Sequence, residues 1–97
     1  MNTYRTIEKW LNATPSDESA DVVERALVTY FGSESVKKTS GSHQFRIKHP
    51  ALADLPGFGI GGYLSIPVTG GKRVKGYYLK RIAQAVRRME EAESEQS

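Results

Sequence analysis

Ninety-seven residues with 38% hydrophobic content suit one compact domain built around one modest core. The absence of cysteine excludes disulfides, thiolate catalysis and cysteine-based zinc sites, and no apolar run reaches the length of a membrane span. The net charge of +3 is segregated: residues 33–88 hold eleven Lys or Arg against two acids, while 1–32 and 89–97 lean acidic. Such a middle attracts polyanions by releasing their counterions, although a charged surface also serves solubility alone. The start Met1-Asn2-Thr3-Tyr4-Arg5 has no signal-peptide core, so a cytoplasmic location is expected.

Tyr4, Ile7, Trp10 and Leu11 recur at helical spacing and predict a first helix over about 3–12. A helix this short is marginal alone, so it is expected to cover an apolar edge of the domain or to mediate self-association through Trp10. Thr14-Pro15-Ser16-Asp17 then reads as a helix start, with Thr14 as cap and Pro15 at the first helical position. Val23, Ala26, Leu27 and Tyr30 form the apolar stripe of this second helix, expected over about 15–31. Gly32 is suited to end it in a left-handed conformation.

A short edge strand is expected near Glu34 to Lys38, where Lys37 and Lys38 would discourage pairing with other chains. After a turn at Thr39-Ser40-Gly41-Ser42, a second strand alternates, with Phe45 and Ile47 inward and Gln44, Arg46 and Lys48 outward. His49 to Gly62, with four glycines and two prolines, reads as a long loop. Tyr63 to Pro67 reads as a third strand burying Leu64 and Ile66. The last helix is expected from about Gly76 to Met89, with Leu79, Ile82, Ala83 and Val86 facing the core. Lys72, Arg73 and Lys75 crowd its positive end and four glutamates follow its negative end. Fraying is therefore expected near Met89, an anion is expected to be welcome at the start, and 90–97 reads as a disordered acidic tail.

His43 opens the second strand just after the turn, at the rim of the expected core. Histidine is the side chain best placed to exchange protons near neutral pH, and among so many cations its natural client is a phosphodiester. In an RNA substrate, a neutral imidazole takes the 2′-OH proton while nearby cations stabilise charge growing on phosphate. That chemistry calls for no cofactor, and DNA would be inert. Lys72, Arg73 and Lys75 are the first candidates for phosphate binding, followed by Lys37 and Lys38. The plainer reading makes His43 a rim residue bonded to its turn and the lysines merely solvated.

Other motifs are weaker. Gly57-Phe58-Gly59-Ile60-Gly61-Gly62 superficially resembles a dinucleotide fingerprint, but no strand-to-helix turn accompanies it. Gly71-Lys72-Arg73 lacks the remaining elements of a P-loop. His43 and His49 lie six residues apart with few carboxylates nearby, so no metal site is expected. No Ser-His-Asp set is recognisable.

Asp21 to Val86 resembles the HicA-type mRNA interferase family, the toxin half of a toxin–antitoxin pair. The matching features run in order: the helix before the first strand, Gly41-Ser42-His43 with Phe45, Leu64-Ser65-Ile66-Pro67-Val68, Gly70-Gly71-Lys72-Arg73-Val74-Lys75-Gly76, and the helix with Leu79, Ile82 and Val86. The resemblance covers about two-thirds of the chain. It implies an α+β class and a small αβββα fold similar to a double-stranded-RNA-binding domain. In that fold a three-stranded antiparallel sheet is backed by two helices, here with an extra N-terminal helix.

It further implies a metal-independent endoribonuclease with His43 as its catalytic residue, acting on mRNA and neutralised by a HicB-like antitoxin. Ser42 falls in the same signature and joins the lysines as a candidate RNA contact. The corresponding organisation is an added helix over 1–14, the HicA-like domain over 15–89 and the tail over 90–97. Thr69 stands where family members often carry a histidine, and Tyr77 where a threonine is common. A non-catalytic RNA-binding module and a protein-interaction domain with a basic face are the two alternative readings.

Overall fold

The structure is a computed structural model that describes residues 3–33, 45–70 and 72–96. The chain is α+β. Its elements in order are α1 (Thr3–Asn12), β1 (Asp17–Ser19), α2 (Ala20–Phe31), β2 (Phe45–Lys48), a 3-10 turn (Pro50–Leu52), β3 (Tyr63–Ile66), β4 (Arg73–Lys75) and α3 (Gly76–Gln96). Among the described residues the strands form two separate antiparallel pairs, β1 with β4 and β2 with β3. The strand expected at 34–38 lies outside the described residues.

One core joins these elements. β2 and β3 pair in the register Phe45↔Ile66 and Ile47↔Leu64, and all four side chains are buried, as the alternation predicts. Val23, Ala26 and Leu27 of α2 and Leu79, Ile82, Ala83 and Val86 of α3 complete the expected apolar set. α1 packs on α3, with Ile7 and Trp10 fully buried. Of the two expected roles for this helix it takes the first, covering an apolar edge of the domain. The indole is thereby enclosed in the chain's own core and is not presented for self-association.

α1 ends where Thr14 donates its hydroxyl to the Trp10 carbonyl, just before Pro15. Proline disfavours helical geometry in the residue preceding it. The expected restart at Thr14-Pro15 does not occur. Residues 17–19 are extended instead, and α2 begins behind Ser19, whose Oγ accepts from the Asp21 amide at 3.2 Å. The physical reason is that 16–19 carry no apolar side chain to bury as a helix. As a strand their backbone is satisfied by β4, in the register Asp17↔Lys75, Glu18↔Val74 and Ser19↔Arg73.

The stretch 49–62 is more ordered than a plain loop. His49 caps the 3-10 turn, its Nδ1 accepting from the Ala51 amide at 3.1 Å, and this turn drives Leu52 into the core with no exposure. Gly62, at φ 78°, lies so close to the His49 carbonyl that a Cβ there would collide with it. The end of α3 also departs from expectation. The helix continues through Gln96 rather than fraying near Met89, and so includes most of the segment read as a disordered tail. Glu and Ala propagate a helix well, and Arg87 bridges Glu90 at 3.6 Å and Glu8 of α1 at 3.7 Å.

Candidate nucleic-acid interface

Val68 leaves β3 for a tight turn closed between Thr69 and Arg73. The Thr69 amide donates to the Arg73 carbonyl at 2.8 Å, and the Thr69 hydroxyl donates to the same oxygen at 3.0 Å. Lys72 adopts φ 57° within this turn, a left-handed conformation unusual for a residue other than glycine. Alternation along β4 then buries Val74 and turns Arg73 and Lys75 outward. The Gly76 amide donates to the Ser16 carbonyl at 2.8 Å, which seats the first turn of α3 against the Pro15–Ser16 backbone.

The three basic residues singled out here are all exposed, but they are not equivalent. Arg73 is engaged by Asp17, with Nε at 3.0 Å and Nη2 at 2.5 Å from the same carboxylate oxygen. Asp17 faces Lys75 directly in the strand register, yet its carboxylate reaches diagonally to Arg73. Among the described residues no carboxylate pairs with Lys72, Lys75 or Lys80. Other described cations, Lys48 and Arg25 among them, likewise have no carboxylate partner among the described residues.

An open groove of about 520 Å³ is lined by Thr14, Pro15 and Ser16 together with Lys75, Gly76, Tyr77, Lys80 and Arg81. The Arg81 guanidinium lies 4.9 Å from the centre of the Tyr77 ring, and its Nη1 donates to Gln84 Oε1 at 3.0 Å. Gly57, at φ 88°, comes so close to the Arg81 side chain and the Tyr77 hydroxyl that a Cβ would crowd both. The loop before β3 thus packs against this pair.

His43, Ser42, Lys37 and Lys38 lie outside the described residues, so the structure does not bring them together with the β4–α3 cations. Arg73 and Lys75 lie in β4, with Lys72 just before it, at the approach to α3. Sequence reasoning did not assign Tyr77 and Arg81 to the site. Their i, i+4 spacing, which puts an aromatic and a guanidinium on one helix face, was the available signal. His49 serves as a cap, and among the described residues no group of three or more His, Asp or Glu gathers as a metal site. No helix among the described residues is long and apolar enough to cross a membrane. Comparison with protein-family models, with curated proteins and with solved structures finds no match.

Proposed function

We propose that the chain is an RNA-binding, toxin-like endoribonuclease of HicA type, acting in the cytoplasm and held in check by an antitoxin. The observation that carries RNA binding is the pair of cations Lys75 and Lys80 lining one groove where β4 meets α3, with exposed Lys72 in the turn just before, none of the three paired with a carboxylate among the described residues. Cations so placed neutralise phosphates without first breaking an internal ion pair. In the same reading residues 34–38 add a third strand to the β2–β3 pair, with α2 and α3 behind it, and the turn after that strand carries Ser42 and His43.

The neutral His43 imidazole removes the 2′-OH proton, and the oxygen so exposed attacks the adjacent phosphorus. Solvent water supplies the proton for the departing 5′-oxygen, leaving a 2′,3′-cyclic phosphate and a 5′-hydroxyl, and the His43 imidazolium then returns its proton to solvent. Lys72 and Lys75, with Lys37 and Lys38, hold the phosphates and offset their growing charge. A HicB-like partner with an acidic surface would neutralise the protein by covering His43 and the 72–75 segment.

The non-catalytic RNA-binding reading has one observation in its favour. Thr69 spends its hydroxyl closing the turn onto the Arg73 carbonyl, and threonine offers no proton exchange near neutral pH at the place where the family often has histidine. The deciding experiment compares wild type with His43→Ala on the same RNA, with EDTA present and circular dichroism confirming that both fold. Loss of cleavage by about 10²–10⁴ with affinity retained supports the enzyme. Equal cleavage by both proteins removes His43 from the chemistry, and binding without cleavage by the wild type supports the binding module.

A further inference from the structure

We propose that Tyr77 and Arg81 form a stacking platform for one unpaired RNA base, with Lys75 and Lys80 holding the flanking phosphates, so that this interface takes single-stranded rather than duplex RNA. The proposal rests on the RNA-binding reading above and adds to it the form of the strand.

Three observations converge on the platform. First, Tyr77 is 56% exposed on a helix whose other aromatic, Tyr78, packs against the core. Second, its ring is held rather than free to swing. The Tyr78 ring lies 5.1 Å away at 87° to it, and the Arg81 guanidinium covers one of its faces at 4.9 Å. Arg81 is itself fixed by Gln84 and by the close approach of Gly57. An aromatic surface already ordered loses little side-chain entropy when a base settles on it. Third, Lys75 and Lys80 line the same groove, and neither has a carboxylate partner among the described residues.

Charge complementarity selects the occupant. The groove offers one exposed aromatic among three cations, which is too little apolar area for the core of a protein interface and well matched to a base carried on a phosphate backbone. A duplex keeps its base faces stacked internally and presents phosphates, 2′-hydroxyls and groove edges, none of which engages an exposed ring. An unpaired base supplies the free π-face that Tyr77 accepts.

The test uses fluorescence anisotropy with a short single-stranded 2′-O-methyl RNA, which resists cleavage, against a duplex of the same chemistry and total charge. Tyr77→Leu is expected to weaken single-strand binding by about 5- to 100-fold, the range for losing one stacked base, and to leave duplex binding and the salt slope unchanged. Tyr77→Phe should bind as the wild type does. A 2-aminopurine in the single strand should be quenched by the wild type and not by Tyr77→Leu. Unchanged single-strand affinity in Tyr77→Leu, or tighter wild-type binding to the duplex, overturns the platform while leaving RNA binding standing. No binding of either RNA by folded wild type at low salt overturns the RNA reading and the platform with it.

Discussion

Asp17 holds Arg73 diagonally across the β1–β4 pair, Nε and Nη2 of the guanidinium donating to one carboxylate oxygen at 3.0 and 2.5 Å. The pairing separates the exposed basic residues into one cation engaged by a carboxylate and others with no carboxylate partner among the described residues. It also ties the start of α2 to the entry of α3, because β1 leads directly into one helix and β4 into the other. Both partners are more than two-fifths exposed, so the pair is screened by water and its worth to stability is at most about 1 kcal/mol.

Asp17→Asn therefore separates the two roles. Freed from its carboxylate, Arg73 becomes available to phosphate, and the removed negative charge also lowers repulsion toward RNA. Affinity for RNA should rise by several-fold and the dependence on salt should steepen, while the denaturant midpoint barely moves. Titrations at several salt concentrations beside urea melts measure both. A fall in affinity would mean that Asp17 orients Arg73 for RNA instead of withholding it.

Lys72 presents the opposite case, in which a candidate contact costs the fold something. Its left-handed φ of 57° carries strain of order 1–3 kcal/mol, which glycine does not pay. Lys72→Gly should raise stability by roughly 0.5–1 kcal/mol, because the gain is partly offset by the greater freedom of glycine in the unfolded chain. It should also weaken RNA binding and reduce the salt slope by about one. Opposite signs in the two measurements would mark Lys72 as retained for contact; a loss of stability would mean that its stem supports the turn.

The sequence made the main body of the core legible. Phe45, Ile47, Leu64 and Ile66 alternate, and the α2 and α3 stripes recur at helical spacing, so burial follows from periodicity alone. What escaped were features that depend on a distant partner. Ser19 and Thr14 are both plausible caps in isolation, and only pairing with β4 makes 17–19 extended. β4 itself is three residues long, too short for its single inward residue, Val74, to register as a pattern. Leu52 lies among prolines and glycines that read as loop, and it is the His49 cap that points it inward. In α3 the expectation gave too much weight to unfavourable charge at the C-terminus, a modest effect against the propensity of Glu and Ala.

The charges of the candidate site stand out in the sequence, and its proposed aromatic element does not. Lys72, Lys75 and Arg73 stand out by clustering, whereas Tyr77 in the sequence is only a departure from a resemblance. Its meaning comes from Arg81 on the next turn and from Gly57 some twenty residues earlier, neither adjacent to it along the chain.

Tyr30 gives the fold a dependence on alkaline pH. Burial is the main reason its phenol is held above its ordinary value near 10, with the Glu90 carboxylate adding to the rise, the Arg87 cation opposing it and Tyr4 adding a smaller push upward. The folded protein consequently keeps this proton at pH values where the unfolded chain has lost it. The stabilisation is complete below the unfolded value near 10 and is lost as pH rises through the folded value, because the unfolded state then binds fewer protons. Tyr30→Phe removes the titration while keeping the ring that packs on the core. Urea melts at neutral pH and at several pH values above 10 should show the variant losing less stability than wild type across the alkaline range. Parallel losses in the two proteins would assign the alkaline dependence to other groups, and a variant unstable already at neutral pH would show that the hydroxyl itself supports the fold.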